Sequence, residues 1–344
     1  MTQLAVADRR TAGRATRTTI AFAACGAIVV LAIVASLALG VRDVDPLTAL
    51  RAVLDPSIGT IDAIAVRERI PRTVLGLLVG AALGLAGSLM QGVTRNPLAD
   101  PGILGVNGGA ALAVVIGIAF LGIVSPWQYL SLALVGAALA AAFVYVVGSI
   151  GRGGPTPIKL ALAGAATSAA LASLVSAILL PRTDVLTIFR QWQIGGIGGA
   201  EWDRMLVIAP VIGIAVVVGL LSAPALDAMA LGEQAAKGLG VDVGPWRLTA
   251  AVAGVVLCGA GTALAGPIGF IGLVVPHVLR LLVGANHRAL LPASLLGGAG
   301  LLLLADVVGR LIQDTAEVEA GIVAAFVGAP VLIVIARRSR MQGL

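Results

Sequence analysis

Four arginines stand beside apolar runs, where a charged side chain needs a specific partner. Arg67, Arg69 and Arg72 directly precede a run of eighteen uncharged residues, and Arg310 follows a later apolar run. Guanidinium groups gathered in this way can dock an acidic protein by complementary charge. They can also reach for lipid headgroups or pair with the neighbouring Glu68. Both interpretations remain open at this point.

Few other ionisable side chains lie within the apolar runs. Asp306 precedes Arg310 by one helical turn, so we expect the two to pair at the membrane edge. His277 lies near Arg280, and we expect a hydrogen-bonded packing histidine rather than a ligand. This scarcity argues against a proton-driven carrier.

Several classes of enzyme are excluded by what the sequence lacks. It has no P-loop, no HExxH motif and no Ser-His pair at membrane depth, so an ATPase or an intramembrane protease is not expected. Cys25 and Cys258 both fall in apolar runs, which predicts neither a disulfide nor a zinc site. If the protein does work, another subunit must supply the energy.

The composition is that of a multi-pass membrane protein. Hydrophobic residues make up 59% of the 344 positions and charged residues 12%, and the mean hydropathy is +1.04. The net charge of +6 does not indicate nucleic acid here, because the charges lie between apolar segments.

The apolar runs predict an all-α fold with ten transmembrane helices, both termini cytoplasmic. We expect a cytoplasmic tail at 1–17, one transmembrane domain at 18–336 with an inward loop at 223–247, and a second tail at 337–344. On this layout the inner segments hold fourteen of the 23 lysines and arginines, as the positive-inside rule requires. The predicted spans are 18–40, 73–90, 103–122, 127–148, 160–180, 205–221, 248–267, 270–284, 289–309 and 320–336.

The second predicted span has two special features. Gly76, Gly80 and Gly84 recur at every fourth position, which predicts a face for close packing with another helix. Its inner end runs into Arg95-Asn96-Pro97, which predicts a helix stop followed by a turn.

Long motifs then resemble a known family. They run in order from about Arg67 to Arg337 and read RIPRTVLGLLVGAALGLAGSLMQGVTRNPLADPGILG, ALGEQAAKGLGVDV, GFIGLVVPHVLRLLVGANHRALLP, LLLADVVGR and GIVAAFVGAP. They closely resemble the permeases of ABC importers for iron siderophores, haem and cobalamin, the FecCD/BtuC-type family. The resemblance implies the type II ABC importer permease fold.

The resemblance also implies partners and roles on both sides of the membrane. Arg69, Arg72 and Arg310 match arginines that dock glutamates of a binding protein, whereas Arg67 has no counterpart. The segment 230–241 matches the helices that couple to an ATPase. By itself it reads as an interfacial helix that presents apolar residues to a partner and ends at a glycine. Its coupling residues are Gly232, Glu233, Ala236, Leu239 and Gly240.

Asn96 and Leu98 match residues that narrow the cytoplasmic exit of the cobalamin member. A Thr-Ser pair that completes that exit is replaced here by Pro157-Ile158. Two further departures are Glu319, where the family usually has proline, and Asn286, where it has aspartate.

The resemblance implies a permease subunit, not an enzyme, of an importer for a ferric siderophore. It would lie in the bacterial cytoplasmic (inner) membrane and work by alternating access. The alternative within the family is a cobalamin or haem importer, and the remote alternative is an ATP-independent secondary carrier. The implied partners are two ABC ATPase subunits, a second permease, an extracytoplasmic binding protein and membrane lipid, with no nucleic acid. We expect no cofactor or metal on this chain, ATP and Mg being bound by the ATPase. The chelate, the cavity lining and the choice between identical and paralogous permeases stay open.

Overall fold

The computed structural model describes residues 2–40, 42–97, 99–123, 125–151, 156–312 and 317–341. Every regular element in those ranges is helical, which confirms the predicted all-α class, and a 3₁₀ turn at Pro101–Leu104 follows the third α-helix. The α-helices are α1 (Thr2–Ala38), α2 (Pro46–Leu54), α3 (Ile61–Thr94), α4 (Val106–Leu121), α5 (Pro126–Ser149), α6 (Pro157–Leu179), α7 (Thr183–Ile194), α8 (Trp202–Leu221), α9 (Ala223–Ala230), α10 (Glu233–Gly238), α11 (Val243–Ala265), α12 (Ile271–Val283), α13 (His287–Ile312) and α14 (Ala320–Met341).

Each predicted span coincides with one of these helices. Seven helices of the described chain are long and apolar enough to cross a membrane, namely α1, α3, α5, α6, α8, α11 and α13. The other three, α4, α12 and α14, contain shorter apolar stretches. With its 13 residues, α12 is about 20 Å long, less than a hydrocarbon core of about 30 Å. The count of ten crossings therefore stays a prediction.

The glycine-rich helix α3 is the centre of the bundle. Within its most apolar window 78% of the residues are buried, against 22% for α6 and 28% for α8. A Cβ atom at Gly80 would overlap the carbonyl oxygen of Gly298 in α13, and one at Gly84 would overlap that of Ser294. The predicted close packing is confirmed at these two glycines, because only a residue without a side chain allows the two backbones to approach so closely.

Both ends of α3 differ from the rest of its length. The helix begins at Ile61, so the three arginines lie within its first turns rather than before it. At the inner end it stops at Thr94, and Arg95 adopts a left-handed conformation with φ of 51°. The predicted stop at Arg95-Asn96-Pro97 is confirmed.

The segments between the long helices contain more structure than the sequence indicated. The loops predicted to face outward include α2, whose first turn is capped by the Asp45 carboxylate, and the helix α7. The inward loop at 223–247 was expected to hold one short helix and holds two, α9 and α10. Leu231 and Gly232 separate them, and Gly232 has a φ of 113° that favours glycine.

Candidate functional site

The end of the bundle predicted to face outward is held by a buried charge cluster. Arg72 in α3 donates Nε to both carboxylate oxygens of Asp306 in α13 at 3.1 Å, and its Nη2 lies 2.8 Å from Oδ1. Its Nη1 donates to Glu317 at 2.6 Å. Asp306 is 1% exposed, so this carboxylate must be paired to remain charged.

Arg310 of α13 is the fourth member of the charge cluster. Its Nε lies 3.1 Å from Asp306 Oδ2, which confirms the pair expected from their one-turn spacing. Its Nη1 donates to the carbonyl oxygens of Ser36 and Leu39 at 3.1 and 3.0 Å, so it caps the end of α1. Arg310 is 6% exposed and shares Asp306 with Arg72, an arrangement that a local sequence pattern does not reveal.

The other two arginines of α3 bind backbone carbonyls of α1 and of the segments between α1 and α3. Arg69 donates to Leu37 at 2.8 Å and to Arg42 at 2.5 Å, while Arg67 donates to Asp55 at 3.2 Å and Ile58 at 2.7 Å. Arg67 thus binds backbone carbonyls of the segment before α3, and its contact with lipid headgroups stays a prediction.

A cavity of about 320 Å³ opens over this cluster. Arginines and glutamates line it together with small residues: Gly40, Arg42, Ala65, Glu68, Arg69, Arg72, Gly198, Ala200, Arg310 and Glu317. All three arginines predicted to dock a partner are members of this lining, and Arg67 is not. The cavity has room for one or two side chains of another protein.

At the opposite end of the bundle, predicted to face the cytoplasm, residues 223–241 contain α9 and α10 and form the inner segment, which has an exposed edge. Leu231 is 69% exposed and Leu239 is 65% exposed. Glu233 opens α10 and forms an ion pair with Arg247 of α11. This hydrogen-bonded guanidinium holds the pKa of Glu233 below its ordinary value.

One of the predicted coupling residues does not face outward. The side chain of Ala236 is fully buried in the main hydrophobic core, so the expectation that it is presented to a partner is wrong. Its neighbour Ala235 and Leu239, the other two residues expected to be presented to a partner, are exposed. Gly240, with a φ of 79°, reverses the chain after α10 at the position where the sequence predicted the helix to end.

The inner ends of α3 and α6 border a second cavity, of about 380 Å³. Asn96 and Ile158 both line it, and Ile158 is 73% exposed. Leu98, predicted to be a gate residue with Asn96, lies outside the described residues. Ile158, one of the two residues that replace the family's Thr-Ser pair, thus borders the same cavity as Asn96.

Sequence reasoning missed one polar contact at the inner end. Asp227 in α9 accepts two hydrogen bonds from His287, the first residue of α13: 2.7 Å from the backbone nitrogen and 2.9 Å from Nδ1. His287 is 6% exposed. The two residues are 60 positions apart, so no local spacing indicates the contact.

The environment of His277 differs from what the sequence predicted. Its buried Nδ1 has no hydrogen-bond partner in the described part of the chain, so it is not the satisfied packing histidine that we expected.

No group of three or more His, Cys, Asp and Glu side chains suitable for a metal ion occurs among the residues that the structure describes.

Comparisons with known proteins identify the family. The model of the FecCD transport family matches residues 28–338. The ferric enterobactin transport permease FepD of Escherichia coli K12 is 43% identical over 316 residues, which cover 92% of this chain and 94% of FepD. The Fe(3+)-citrate import permease YfmD of Bacillus subtilis 168 is 42% identical over 275 residues, 79% of this chain and 80% of YfmD.

Among solved structures, a metal-chelate type ABC transporter in an inward-facing conformation matches with a TM-score of 0.79 at 29% identity. The match covers 93% of this chain and 99% of that one. The chain therefore belongs to the FecCD transport family of ABC-importer permeases, which are transport subunits and not enzymes in themselves.

Proposed function

We propose that this permease carries a ferric siderophore across the bacterial cytoplasmic membrane. It forms half of a transport path with a second permease, and two ABC ATPase subunits at the inner face drive it. An extracytoplasmic binding protein delivers the cargo, and lipid surrounds the exposed helices. Both termini are cytoplasmic, and ATP and Mg are bound by the ATPases alone.

One observation carries the partner assignment: a cavity lined by arginines and a segment with two exposed leucines lie at opposite ends of the same two helices. α3 and α13 bring Arg72 and Arg310 together at one end. At the other end, the start of α13 contacts α9, which leads into Leu231 and α10. An apolar side chain exposed beyond the membrane-crossing helices is a typical element of a protein interface.

The outer cavity is the proposed docking site. Arg69 and Arg72 offer guanidinium groups at its wall, where carboxylates of a binding protein would form charge-assisted hydrogen bonds. Arg310, which is almost fully buried, contributes by fixing Asp306 and thereby the orientation of Arg72.

The inner segment is the proposed coupling site, with Leu239 and Glu233 on its exposed side. Gly232 and Gly240 set the entry and exit of α10, and Ala236 anchors it to the rest of the protein. The cavity that Asn96 shares with Ile158 is the proposed cytoplasmic gate, which would open and close as the two permeases move against each other.

The identity of the cargo rests on the relatives. Two of them, at 43% and 42% identity, carry names that specify ferric enterobactin and ferric citrate. An iron chelate is therefore the cargo that we propose.

Growth of a deletion strain on single iron sources tests this assignment. We expect the strain to lose growth on one ferric siderophore and to regain it when the gene is restored. Undiminished growth on every chelate, together with a loss of cobalamin or haem use, would contradict the iron assignment and leave the transport assignment standing.

A further inference from the structure

The contact between Asp227 and His287 caps the start of α13. A helix begins with backbone N–H groups that lack intrahelical partners. In α13 a separate side chain satisfies each of the first two: Asn286 accepts from the nitrogen of Arg288 at 2.9 Å, and Asp227 accepts from that of His287 at 2.7 Å. The Asp227 cap comes from another helix, α9, and it is charged, which suits the positive end of a helix dipole.

The His287 ring adds a second hydrogen bond to Asp227. Its Nδ1 lies 2.9 Å from the oxygen of Asp227 that also accepts the backbone bond. On its other side Nε2 faces α3, where a Cβ atom at Gly92 would lie only 2.9 Å away. The ring therefore fits between α9 and α3 because position 92 has no side chain.

The partner helix α9 is packed into the core and leads directly into α10, the exposed part of the inner segment. Leu226 and Met229 are 1% and 2% exposed on either side of Asp227. Leu231 and Gly232 then separate α9 from α10. A displacement of α10 can therefore reach α13 through α9, and the contact between Asp227 and His287 is where α9 meets the start of α13.

At its other end α13 carries the outer charge cluster. From His287 to Arg310 the helix covers about 35 Å, and its middle packs directly on α3 at Gly298. A continuous helix that is bound to Asp227 at one end and to Arg72 at the other can move as a rigid body and carry both contacts with it.

We propose that Asp227 and His287 are positioning residues that join the inner segment to α13, so that a movement imposed on α9 and α10 is passed to the outer charge cluster. This inference rests on the proposed function, in which an ATPase acts on the inner segment. The pair would not bind the ATPase or the cargo. It would determine how much transport each ATP supports.

The test uses the whole complex of permease and ATPase subunits, purified and placed in proteoliposomes with its binding protein. Asp227→Ala removes the interhelical cap. Asn286→Ala is the matched control, because it removes a cap of the same helix end without touching α9. Asp227→Asn keeps an acceptor oxygen and serves as the conservative variant.

We expect Asp227→Ala to keep the ATPase subunits bound and their basal hydrolysis intact. Transport per ATP should fall about fivefold or more, the range of a typical coupling free energy. Asn286→Ala should transport with the wild-type ratio, and Asp227→Asn should recover part of the loss. His287→Gln should behave like Asp227→Ala.

An equal transport-to-ATP ratio in Asp227→Ala and Asn286→Ala would overturn the inference, as would loss of the ATPase subunits from Asp227→Ala. Thermal melting of each variant complex separates coupling from unfolding: a variant that stays folded at the assay temperature and still transports less per ATP has lost coupling and not structure. If the wild-type permease bound no ATPase at all, the proposed function would fail, and that result is distinct from a failure of this joint.

Discussion

Arg72 and Asp306 are 234 positions apart in the chain and form a buried ion pair in which three nitrogen-to-oxygen distances lie between 2.8 and 3.1 Å. The pair joins α3 to α13 directly beneath the outer cavity. Arg310 and Glu317 add one charge of each sign, so the cluster of four side chains is neutral. The arginines of this end therefore maintain the fold as well as offering charge to a partner.

Removing the central carboxylate should unfold this end. Asp306→Ala leaves the buried Arg310 without a counter-ion and Arg72 with Glu317 alone, and breaking a buried pair typically costs about 3–5 kcal/mol. Glu317→Gln removes a carboxylate that is 38% exposed, for which about 0–1 kcal/mol is expected. Thermal unfolding in detergent compares them, and equal melting temperatures for the two variants would contradict the buried role of Asp306.

Two arginines with similar hydrogen bonds can distinguish a role in docking from a role in folding. Arg69 and Arg67 each donate two hydrogen bonds to backbone carbonyls, but only Arg69 lines the outer cavity. Arg69→Ala should weaken binding of the loaded binding protein about tenfold or more, as expected for a charged group at an interface. Arg67→Ala should leave that affinity unchanged. Surface plasmon resonance on the purified complex measures both, and an equal loss in the two variants would reject the docking role.

The inner edge can be tested with two leucines of similar exposure. Leu239 on the inner segment is 65% exposed and Leu54 on the outer helix α2 is 73% exposed. Leu239→Asp should abolish co-purification of the ATPase, because it puts a charge into an apolar interface, and stability should change by no more than about 0.5 kcal/mol. Leu54→Asp should leave co-purification intact. Full recovery of the ATPase with Leu239→Asp would contradict the coupling role.

The ion pair of Glu233 with Arg247 predicts a pH dependence of the inner segment. Because the folded-state pKa of Glu233 is lowered, the ion pair stabilises the folded inner segment above the usual glutamate pKa. This stabilisation is lost as the pH falls through the lowered pKa. Arg247→Gln removes the main cause of the lowered pKa, so the loss of stability in acid should become smaller. Hydrogen exchange of residues 231–241 between pH 6 and 3 measures this loss. An equally large loss of protection in the variant would exclude Arg247 as the cause.

Particular residues show what the sequence could predict. The order of the spans, the glycine packing face and the stop at Arg95 followed from hydropathy and from residues with special backbone preferences. The pairing of Arg72 with Asp306 and of Asp227 with His287 could not be predicted. Each joins distant segments through side chains that carry no signal in their local sequence.

The inner segment shows a second limit. α10 has six residues, fewer than two helical turns, so periodicity could not decide which face is buried. Ala236 and its neighbour Ala235 differ only in the direction in which the fold turns them. The position of the segment was predictable from its glycines and from the family resemblance, whereas its orientation depended on packing against α9 and α11.

The most direct test of the account is uptake by reconstituted proteoliposomes. The permease, its ATPase and its binding protein would be supplied with a radiolabelled ferric siderophore, with cobalamin and haem as competing cargoes. We predict accumulation of the ferric siderophore that requires both ATP and the binding protein. Accumulation without ATP, or ATP-dependent accumulation of cobalamin or haem alone, would contradict the account.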